Sequence, residues 1–311
     1  MRLSIKQPDC SVANQARTCT CTCRPNPAAS WWRFKTCNTA TVVKSTRRAL
    51  PMGMIHRPLG QTGLELSPIG LGTVKIGRNT DLKYPTDFEL PSDHEIIELL
   101  TLASELGINC IDTAPAYGAS ETRLGGLLPE LACDFRIITK VGETYDPGTG
   151  SHYDFSEIAI LKSLEQSLQR LNRNRLDVVL LHSDGKDIEH LNQGALQTLI
   201  KARDQGLIQA VGLSGKTVEG GRHALDQGAD CLMITLNPET QDEKPLIAEA
   251  ERYGAGLLVK KALGSGHLTT SIPEIFKDLF THPNITSAII GTINPVHLRN
   301  NCLALPTEIQ Q

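Results

Sequence analysis

The hydrophobic positions of the chain follow two repeating patterns over most of its length. Short runs of apolar residues, such as the run at 177–181, are typical of strands buried on both faces. Between such runs, apolar residues recur every three or four positions, as at 156–171, which predicts amphipathic helices. Ser92 and Glu95 have the spacing of a capping box at the start of one predicted helix.

Eight strands are predicted, each followed by a helix. The strands are expected at 67–73, 108–112, 136–140, 177–181, 208–213, 231–236, 256–260 and 287–290. Alternation around Thr62 and Gly63 predicts a β-hairpin before them. Eight such units in about 250 residues predict the α/β class, as a (β/α)8 TIM barrel with an N-terminal hairpin. An open doubly wound sheet is the alternative, but the segment 70–74 lacks the third glycine of its dinucleotide-binding fingerprint.

The first 51 residues differ from the rest in charge and composition. The formal net charge of -3 divides into +8 on residues 1–50 and -11 on the remainder. A segment rich in Arg, Ser and Thr and poor in acid is typical of an organellar transit peptide. A disordered leader, or upstream sequence translated from a wrongly assigned start, is the stronger interpretation, and Met52 and Met54 favour the second version. We therefore predict an extension at 1–51 and a barrel domain at 52–311.

Three cysteines of this extension, Cys19, Cys21 and Cys23, suggest a thiolate metal site. Structural zinc sites usually place two to four residues between paired cysteines, and no second pair follows here. A metal or thiol role therefore ranks last, and no metal site is predicted.

Composition excludes several classes of partner. The chain is 40% hydrophobic and 21% charged, which is ordinary for a soluble globular protein. It has no run of about 18 apolar residues that would predict a membrane span. The acidic balance of the barrel argues against nucleic-acid binding. Cys110, Cys133, Cys231 and Cys302 are expected to be buried thiols in a reducing compartment. The cytoplasm is the expected location, with an organelle as the alternative if residues 1–51 are a transit peptide.

Polar residues follow most of the predicted strands. In a (β/α)8 barrel, catalytic residues lie at the carboxyl ends of the strands. The residues expected there are Thr73, Asp112, Lys140, His182, Ser214, Lys260, Lys261, Gly291 and Thr292, with Tyr117 in the loop after Asp112.

Several of these residues lie in segments that together resemble the aldo-keto reductase family. The similar segments are 57–73, 112–121, 138–140, 176–182 and 211–214, in the family's order, and the resemblance covers nearly all of 56–304. The chain is most similar to a divergent, sugar-dehydrogenase-like branch. The resemblance implies hydride transfer between a nicotinamide cofactor and the carbonyl or alcohol carbon of a small substrate.

The family's four catalytic positions correspond to Asp112, Tyr117, Lys140 and His182. A reduced carbonyl oxygen must take up a proton, which Tyr117 would donate. A free phenol, with a pKa of about 10, is a weak acid at neutral pH, and a nearby ammonium such as that of Lys140 would lower that pKa. Asp112 would hold Lys140 in place, and His182 would orient the carbonyl oxygen.

The resemblance also implies a cofactor site. Its expected residues are Gly72, Thr73, Asp112, Ser214, Leu263, Gly264, Gly291, Thr292, Asn294, His297 and Asn301. The helix after the eighth strand would direct its positive end at a phosphate. NADPH-preferring members usually have Arg at the position of His297 and often Lys at that of Gly291. The choice between NADP and NAD therefore stays open, and a dual or NAD-leaning preference is expected.

Other positions depart from the family pattern. Met233 replaces a Gln and Gly215 an Asn that bind the cofactor carboxamide, so this recognition is expected to depend on Ser214, with Asn237 as a second candidate. The aromatic residue that stacks on nicotinamide is missing from 259–263. The adjacent Lys260 and Lys261 could contact the cofactor phosphates, favour an anionic substrate, or form a solvated pair.

Two long segments at the active end, 74–91 and 141–155, are expected to form substrate loops. Their candidate residues are Tyr84, Phe88, Tyr145, His152 and Tyr153. Few residues follow the last predicted helix, so we expect the pocket to be open on that side.

The leading hypothesis is an NAD(P)-dependent oxidoreductase acting on a small aldehyde, ketone or sugar. The alternative is a regulatory protein that binds the cofactor on the same barrel with little or no turnover. The sequence leaves the oligomeric state open.

Overall fold

The computed structural model describes residues 53–82, 87–266 and 268–310. The predicted extension at 1–51, with Cys19, Cys21 and Cys23, lies outside the described residues. So do Met52 and Tyr84.

Within these ranges the chain forms twelve strands, and eight of them make the barrel. They are β1 (Arg57–Pro58), β2 (Glu65–Leu66), β3 (Ile69–Gly72), β4 (Cys110–Asp112), β5 (Arg136–Val141), β6 (Glu143–Asp146), β7 (Gly150–Tyr153), β8 (Leu176–His182), β9 (Ile208–Ser214), β10 (Cys231–Thr235), β11 (Gly256–Lys260) and β12 (Ile285–Gly291).

The same described ranges contain ten α-helices. They are α1 (Val74–Gly77), α2 (Asp93–Glu105), α3 (Ser120–Leu127), α4 (Glu157–Arg170), α5 (Asp187–Asn192), α6 (Ala195–Asp204), α7 (Val218–Asp226), α8 (Leu246–Tyr253), α9 (Ile272–Phe280) and α10 (Pro295–Leu303). The predicted capping box is present: the Ser92 hydroxyl accepts from the Glu95 amide, and the Glu95 carboxylate accepts from the Ser92 amide.

The eight barrel strands close in the order β3, β4, β5, β8, β9, β10, β11, β12 and back to β3. Neighbouring pairs are parallel, as in β8–β9, where His182 is paired with Ser214. The predicted (β/α)8 fold is confirmed, and β1 and β2 form the predicted antiparallel hairpin.

Two hydrophobic layers hold the barrel together. The larger layer packs the helices against the outer faces of the strands. The smaller fills the interior and includes Ile138, Leu180 and Leu258, together with Leu59 and Leu66 of the hairpin region. Alternate strand residues point inward, so residues two positions beyond this inner layer meet at the carboxyl end of the barrel. The fold thus gathers Lys140, His182 and Lys260 at one rim.

Three elements were not predicted. The segment expected to be a substrate loop after β5 contains the hairpin β6–β7. The short helices α1 and α5 follow β3 and β8. Cys110, Cys231 and Cys302 are buried free thiols as expected, whereas Cys133 is partly exposed, which corrects its prediction.

None of the helices in the described part of the chain is long and apolar enough to span a bilayer.

Candidate active site

A cavity of about 690 Å³ opens at the carboxyl ends of the barrel strands. This volume lies within the range of small-molecule and cofactor sites. The inward-facing residues at the ends of β4, β5 and β8 line one part of its wall, and those of β11 and β12 another.

A buried ion pair lies beneath the cavity. Lys140 Nζ donates to Asp112 Oδ1 at 2.6 Å and to the Thr113 carbonyl at 2.9 Å. The side chains of Lys140 and Asp112 are only 1% and 5% exposed. A buried ammonium without a carboxylate partner would be strongly unfavourable, so each charge fixes the position of the other.

Tyr117 is positioned by a close approach of two backbones. It ends a 3₁₀ turn at Pro115–Tyr117 and is followed by Gly118, with a φ of 61°. A Cβ on Gly118 would lie 2.3 Å from the Gly77 carbonyl oxygen, so a larger residue would displace the turn. The phenol hydroxyl lies 3.4 Å from Asp112 Oδ2, and Lys140 Nζ lies 4.7 Å from the ring centroid. These three residues therefore form one contiguous group.

His182 completes the group from the end of β8. Its ring meets that of Tyr117 edge-on, with centroids 6.2 Å apart. Its Nδ1 lies 2.7 Å from Oε2 of Glu143, at the start of β6. Burial lowers the pKa of His182; Glu143 raises it, and the charges of Lys140 and Lys260 lower it, leaving the pKa below its usual value.

Glu143 itself stays ionised. Burial raises the pKa of its carboxyl, but the contact with His182 and the hydroxyls of Ser151 and Tyr153 outweigh burial and lower the pKa to about 2. A carboxylate of this kind accepts hydrogen bonds and donates none.

The opposite wall carries Met233, Lys260 and Leu263. Lys260 Nζ reaches across to β9, where it donates to Ser214 Oγ at 3.1 Å and to the Gly215 carbonyl at 2.7 Å. Burial lowers the pKa of Lys260 to about 8, with the charges of Lys261, Lys140 and Lys216 acting in the same direction and Glu243 opposing them.

Lys260 and Lys261 therefore differ, although they are adjacent. Lys261 is exposed and has a φ of 57°, which turns the chain away from the strand direction. The solvated-pair interpretation fits Lys261 but not Lys260.

The helix α10 begins beside the cavity. Asn294 caps it, its side chain accepting from the amides of Val296 and His297. Thr292 and Asn301 are nearly buried and line the cavity with His297 and Asn300. Hydroxyl, amide and imidazole groups at a helix N-terminus, with lysines across the cavity, suit a ligand that carries phosphates and an adenine. This donor set fits a nicotinamide dinucleotide.

Most of the predicted site residues share this one cavity. Its wall includes Gly72, Thr73, Asp112, Tyr117, Lys140, His182, Ser214, Leu263, Gly291, Thr292, His297 and Asn301. Two predicted cofactor residues are placed beside it. Asn294 serves as the helix cap, and Gly264 begins a 3₁₀ turn at Gly264–Gly266.

The second carboxamide candidate, Asn237, is used within its own turn. Its amide nitrogen donates to the Lys261 carbonyl at 3.1 Å, and its oxygen accepts from the amides of Glu239 and Thr240. This placement removes Asn237 from the group of residues that face the cavity.

The loop candidates mostly contact other residues of the two long loops. Tyr145 donates to Asp81 at 2.6 Å and lies under the Arg78 guanidinium, 3.6 Å away, so it joins the two long loops. His152 contacts the Thr149 hydroxyl at 2.6 Å, and Phe88 lies 5.0 Å from Lys75 Nζ.

Several residues that line the cavity were not predicted from the sequence. Lys75, Ser183 and Lys216 lie in the wall, each in a loop or short helix whose path the pattern does not predict. Asn300 also lies in the wall, in the predicted helix α10, but no motif marks it. Glu143 was missed because no sequence motif marked the β6–β7 hairpin.

Comparison with known proteins agrees with this geometry. The sequence profile of the aldo/keto reductase family matches residues 68–284, most of the barrel. The chain belongs to the aldo/keto reductase family. It is an oxidoreductase, as its dehydrogenase relatives also indicate.

Individual relatives support the predicted sugar-dehydrogenase-like branch. The chain is 27% identical to L-galactose dehydrogenase of Arabidopsis thaliana, over 70% of this chain and 68% of that protein. It is 26% identical to D-threo-aldose 1-dehydrogenase of a Pseudomonas species, over 68% and 70%. A crystal structure of a protein from Pseudomonas aeruginosa assigned as an aldo-keto reductase is similar at 46% identity and a TM-score of 0.73, covering 81% of this chain and 95% of that one.

Proposed function

We propose that the protein transfers hydride between NADP or NAD and the carbonyl or alcohol carbon of a small aldehyde, ketone or sugar. The observation that carries this proposal is the placement of Asp112, Tyr117, Lys140 and His182 at one edge of the cavity. The relatives named as dehydrogenases of small sugars support the substrate class.

Tyr117 is the proposed proton donor in reduction and acceptor in oxidation. The hydride would come from a reduced nicotinamide when the cofactor is bound. As the carbonyl oxygen gains charge, it takes the phenol proton, and the ammonium of Lys140 stabilises the phenolate that remains. Asp112 holds that ammonium in place, since it accepts a 2.6 Å hydrogen bond from Lys140.

The cofactor would lie along the segments after β11 and β12. Leu263, Gly291, Thr292, His297, Asn300 and Asn301 line the cavity there and would hold it. His297 is a weak substitute for a fixed cation at a 2′-phosphate, because an imidazole lacks the permanently charged, planar fork of donors of a guanidinium. A dual or NAD-leaning preference is the expected result.

The test is a fluorescence titration of purified protein with NADPH and NADH, followed by turnover assays on a panel of aldehydes, ketones and sugars in both directions. Tight cofactor binding with turnover on one class supports the proposal. Tight binding with no turnover on any member would refute it and favour a cofactor-binding regulatory protein.

A further inference from the structure

Lys260 places a charged group in the mouth of the barrel, across from the proposed catalytic residues. It ends β11, and its side chain passes β10 to reach the end of β9, where it donates to Ser214 Oγ and to the Gly215 carbonyl. Met233 of β10, the strand between them, lines the same cavity and offers neither a charge nor a hydroxyl. The ammonium is therefore held by neutral groups inside the cavity.

One donor of this ammonium has no acceptor among the described residues. A lysine ammonium has three N–H donors. Two of them are used, at 3.1 Å from Ser214 Oγ and at 2.7 Å from the Gly215 carbonyl oxygen. Within the described ranges Lys260 forms no ion pair; the charge of Glu243 acts on it from farther away, and Glu243 accepts from the Thr235 amide at 2.8 Å. The third donor and the charge are thus available to a ligand.

The described wall of the cavity has an excess of positive charge. Its single carboxylate, Asp112, is already paired with Lys140. Burial and the charges of neighbouring lysines lower the pKa of Lys260 to about 8, although Glu243 opposes them. A charge held in a cavity against its environment is typical of a group that acts on a ligand. The lysines of the wall are Lys75, Lys140, Lys216, Lys260 and Lys261.

A nicotinamide ring that reacts in this cavity has to lie close to Lys260. Hydride transfer requires the reacting carbons to approach within about 3–3.5 Å, and the substrate oxygen is bound at Tyr117 in the proposed reaction. His182, on the same side as Tyr117, is paired with Ser214 across β8 and β9, and Ser214 holds the Lys260 ammonium. The charge of Lys260 also acts on His182. The space for the ring is therefore bounded by Tyr117 on one side and by the ammonium on the other.

The two forms of a nicotinamide cofactor differ in charge at this ring. The oxidised ring is a cation and the reduced ring is neutral, whereas the phosphates and the adenosine are the same in both. An ammonium beside the ring repels the oxidised form and does not repel the reduced form. Because binding and redox equilibria are linked, weaker binding of the oxidised form makes the bound ring a better hydride acceptor.

We propose that the Lys260 ammonium lies beside the nicotinamide ring and biases the bound cofactor toward its reduced form, and thereby the equilibrium on the enzyme toward oxidation of an alcohol. This inference rests on the proposed function. In the favoured direction the alcohol carbon gives hydride to the oxidised ring, and the hydroxyl proton passes to the Tyr117 phenolate. The products are a carbonyl compound, reduced cofactor and a neutral phenol.

The experiment compares the Kd values of NADP⁺ and NADPH, or of NAD⁺ and NADH if these bind more tightly. Calorimetry is done at pH 7, where an ammonium with a pKa of about 8 is mostly charged. In wild type, the Kd of the oxidised form should exceed that of the reduced form. The ratio should fall about tenfold in Lys260→Met and in Lys260→Gln, or about 30 mV in the potential of the bound two-electron couple. An unchanged ratio would overturn the proposal.

The ratio also separates this role of Lys260 from two others. If Lys260 binds a cofactor phosphate, its loss weakens both forms equally, because the phosphates are common to both. If Lys260 binds a carboxylate of the substrate, both Kd values stay constant and kcat/KM falls only for acidic substrates. Either result would contradict the proposal.

Lys261 is the matched control, since it is the adjacent lysine at the same rim and is exposed. Lys261→Met removes the same charge from the chain and should change the ratio less than about twofold, because solvent and salt screen an exposed charge. An equal fall in Lys261→Met would assign the effect to the general charge of the rim and not to Lys260. Lys260→Arg keeps the charge and should keep most of the wild-type ratio; a ratio like that of Lys260→Met would exclude charge as the cause.

A second measurement tests the direction of the reaction. Enzyme in excess over cofactor is mixed with an alcohol and its carbonyl product at fixed concentrations, and the absorbance of the reduced ring gives the reduced fraction of bound cofactor. That fraction should be lower in Lys260→Met than in wild type, and an equal fraction would refute the bias. The expected Kd ratio in a protein without turnover would keep the role of Lys260 at the ring and place the failure in the proposed function. Turnover with an unchanged ratio would do the reverse.

Discussion

The two halves of the barrel rim differ in how their polar side chains are held. On the half formed by β4, β5 and β8, titratable side chains occur in close pairs: the ion pair of Lys140 with Asp112, and His182 with Glu143. On the half formed by β9 to β12, Lys260 is held by a hydroxyl and a backbone carbonyl. Met233 lies beside it without any charge.

We expect this difference to separate the residues proposed for catalysis from those that would select the cofactor or substrate. A paired charge cannot change alone, because its partner would be left buried and uncompensated. A side chain held by neutral groups can change with less disturbance. This agrees with the sequence, which resembles the family at the four catalytic positions and departs from it at Met233, Gly215 and Lys260. Substitutions on the two halves should therefore have different consequences.

The largest expected effect is on the paired half. Tyr117→Phe removes the proposed proton donor but keeps the ring that packs against His182. Turnover should fall by about 10² to 10⁴-fold, the usual contribution of a positioned acid or base. The Kd for NADPH, measured by fluorescence, should stay within about threefold of wild type. Tyr145→Phe, which loses a hydroxyl bound to Asp81 in the outer loops, is the control. Equal activity of the two variants would exclude Tyr117 as the donor.

The second-largest expected effect is on the free energy of unfolding. Lys140→Met leaves Asp112 buried without its cation, which should lower the free energy of unfolding by about 3–5 kcal/mol. The double variant Asp112→Asn with Lys140→Met should recover part of that loss. Urea unfolding of wild type, Lys140→Met, Asp112→Asn and the double variant measures these changes and their additivity. Full additivity of the two substitutions would show that the pair is not coupled.

Lys260 allows a test of stability on the half of the rim formed by β9 to β12. Its pKa of about 8 lies below the ordinary lysine value near 10.4, so the unfolded chain binds more protons than the folded one between these values. Stability therefore rises with pH across that window, and the penalty of the buried charge is fully present below pH 8. Lys260→Met should unfold at a higher temperature than wild type at pH 7, and this advantage should shrink by pH 10. Exposed Lys261→Met is the matched control and should show neither change.

The smallest effect should occur away from both halves. Ser92→Ala removes the cap of α2 on the outside of the barrel and should lower the free energy of unfolding by about 1 kcal/mol. The kcat of this variant should equal that of wild type. A change in kcat would mean that the outer layer is coupled to the cavity.

The sequence could predict those parts of the structure that have a clear hydrophobic pattern. The barrel strands are short, mostly apolar segments buried on both faces, so their hydrophobic pattern identifies them. Asp112, Lys140 and His182 follow because each is the last inward residue of such a strand. The β6–β7 hairpin carries polar residues that are mostly exposed, and its turn depends on the side chain of Asp146. The hydrophobic pattern of the sequence therefore does not predict the contact of Glu143 with His182.

Neighbouring residues can also have different environments that the hydrophobic pattern does not predict. Lys260 points inward because it continues the alternation of β11, whereas Lys261 follows it in a left-handed backbone conformation. The sequence places both lysines at the rim but cannot assign them opposite environments. Asn237 is similar, since a turn that begins at Asn237 determines where its amide points.

The described ends of the chain meet on the side of the barrel away from the cavity. Met54 forms a β-bridge with Gln310, and His56 contacts the Gly107 carbonyl, just before β4 enters the barrel. A protein fused after Gln310 would therefore leave from the face opposite the cavity. The enzyme could be anchored to a surface by this end, or joined in tandem to a second enzyme, with its cavity facing free solution.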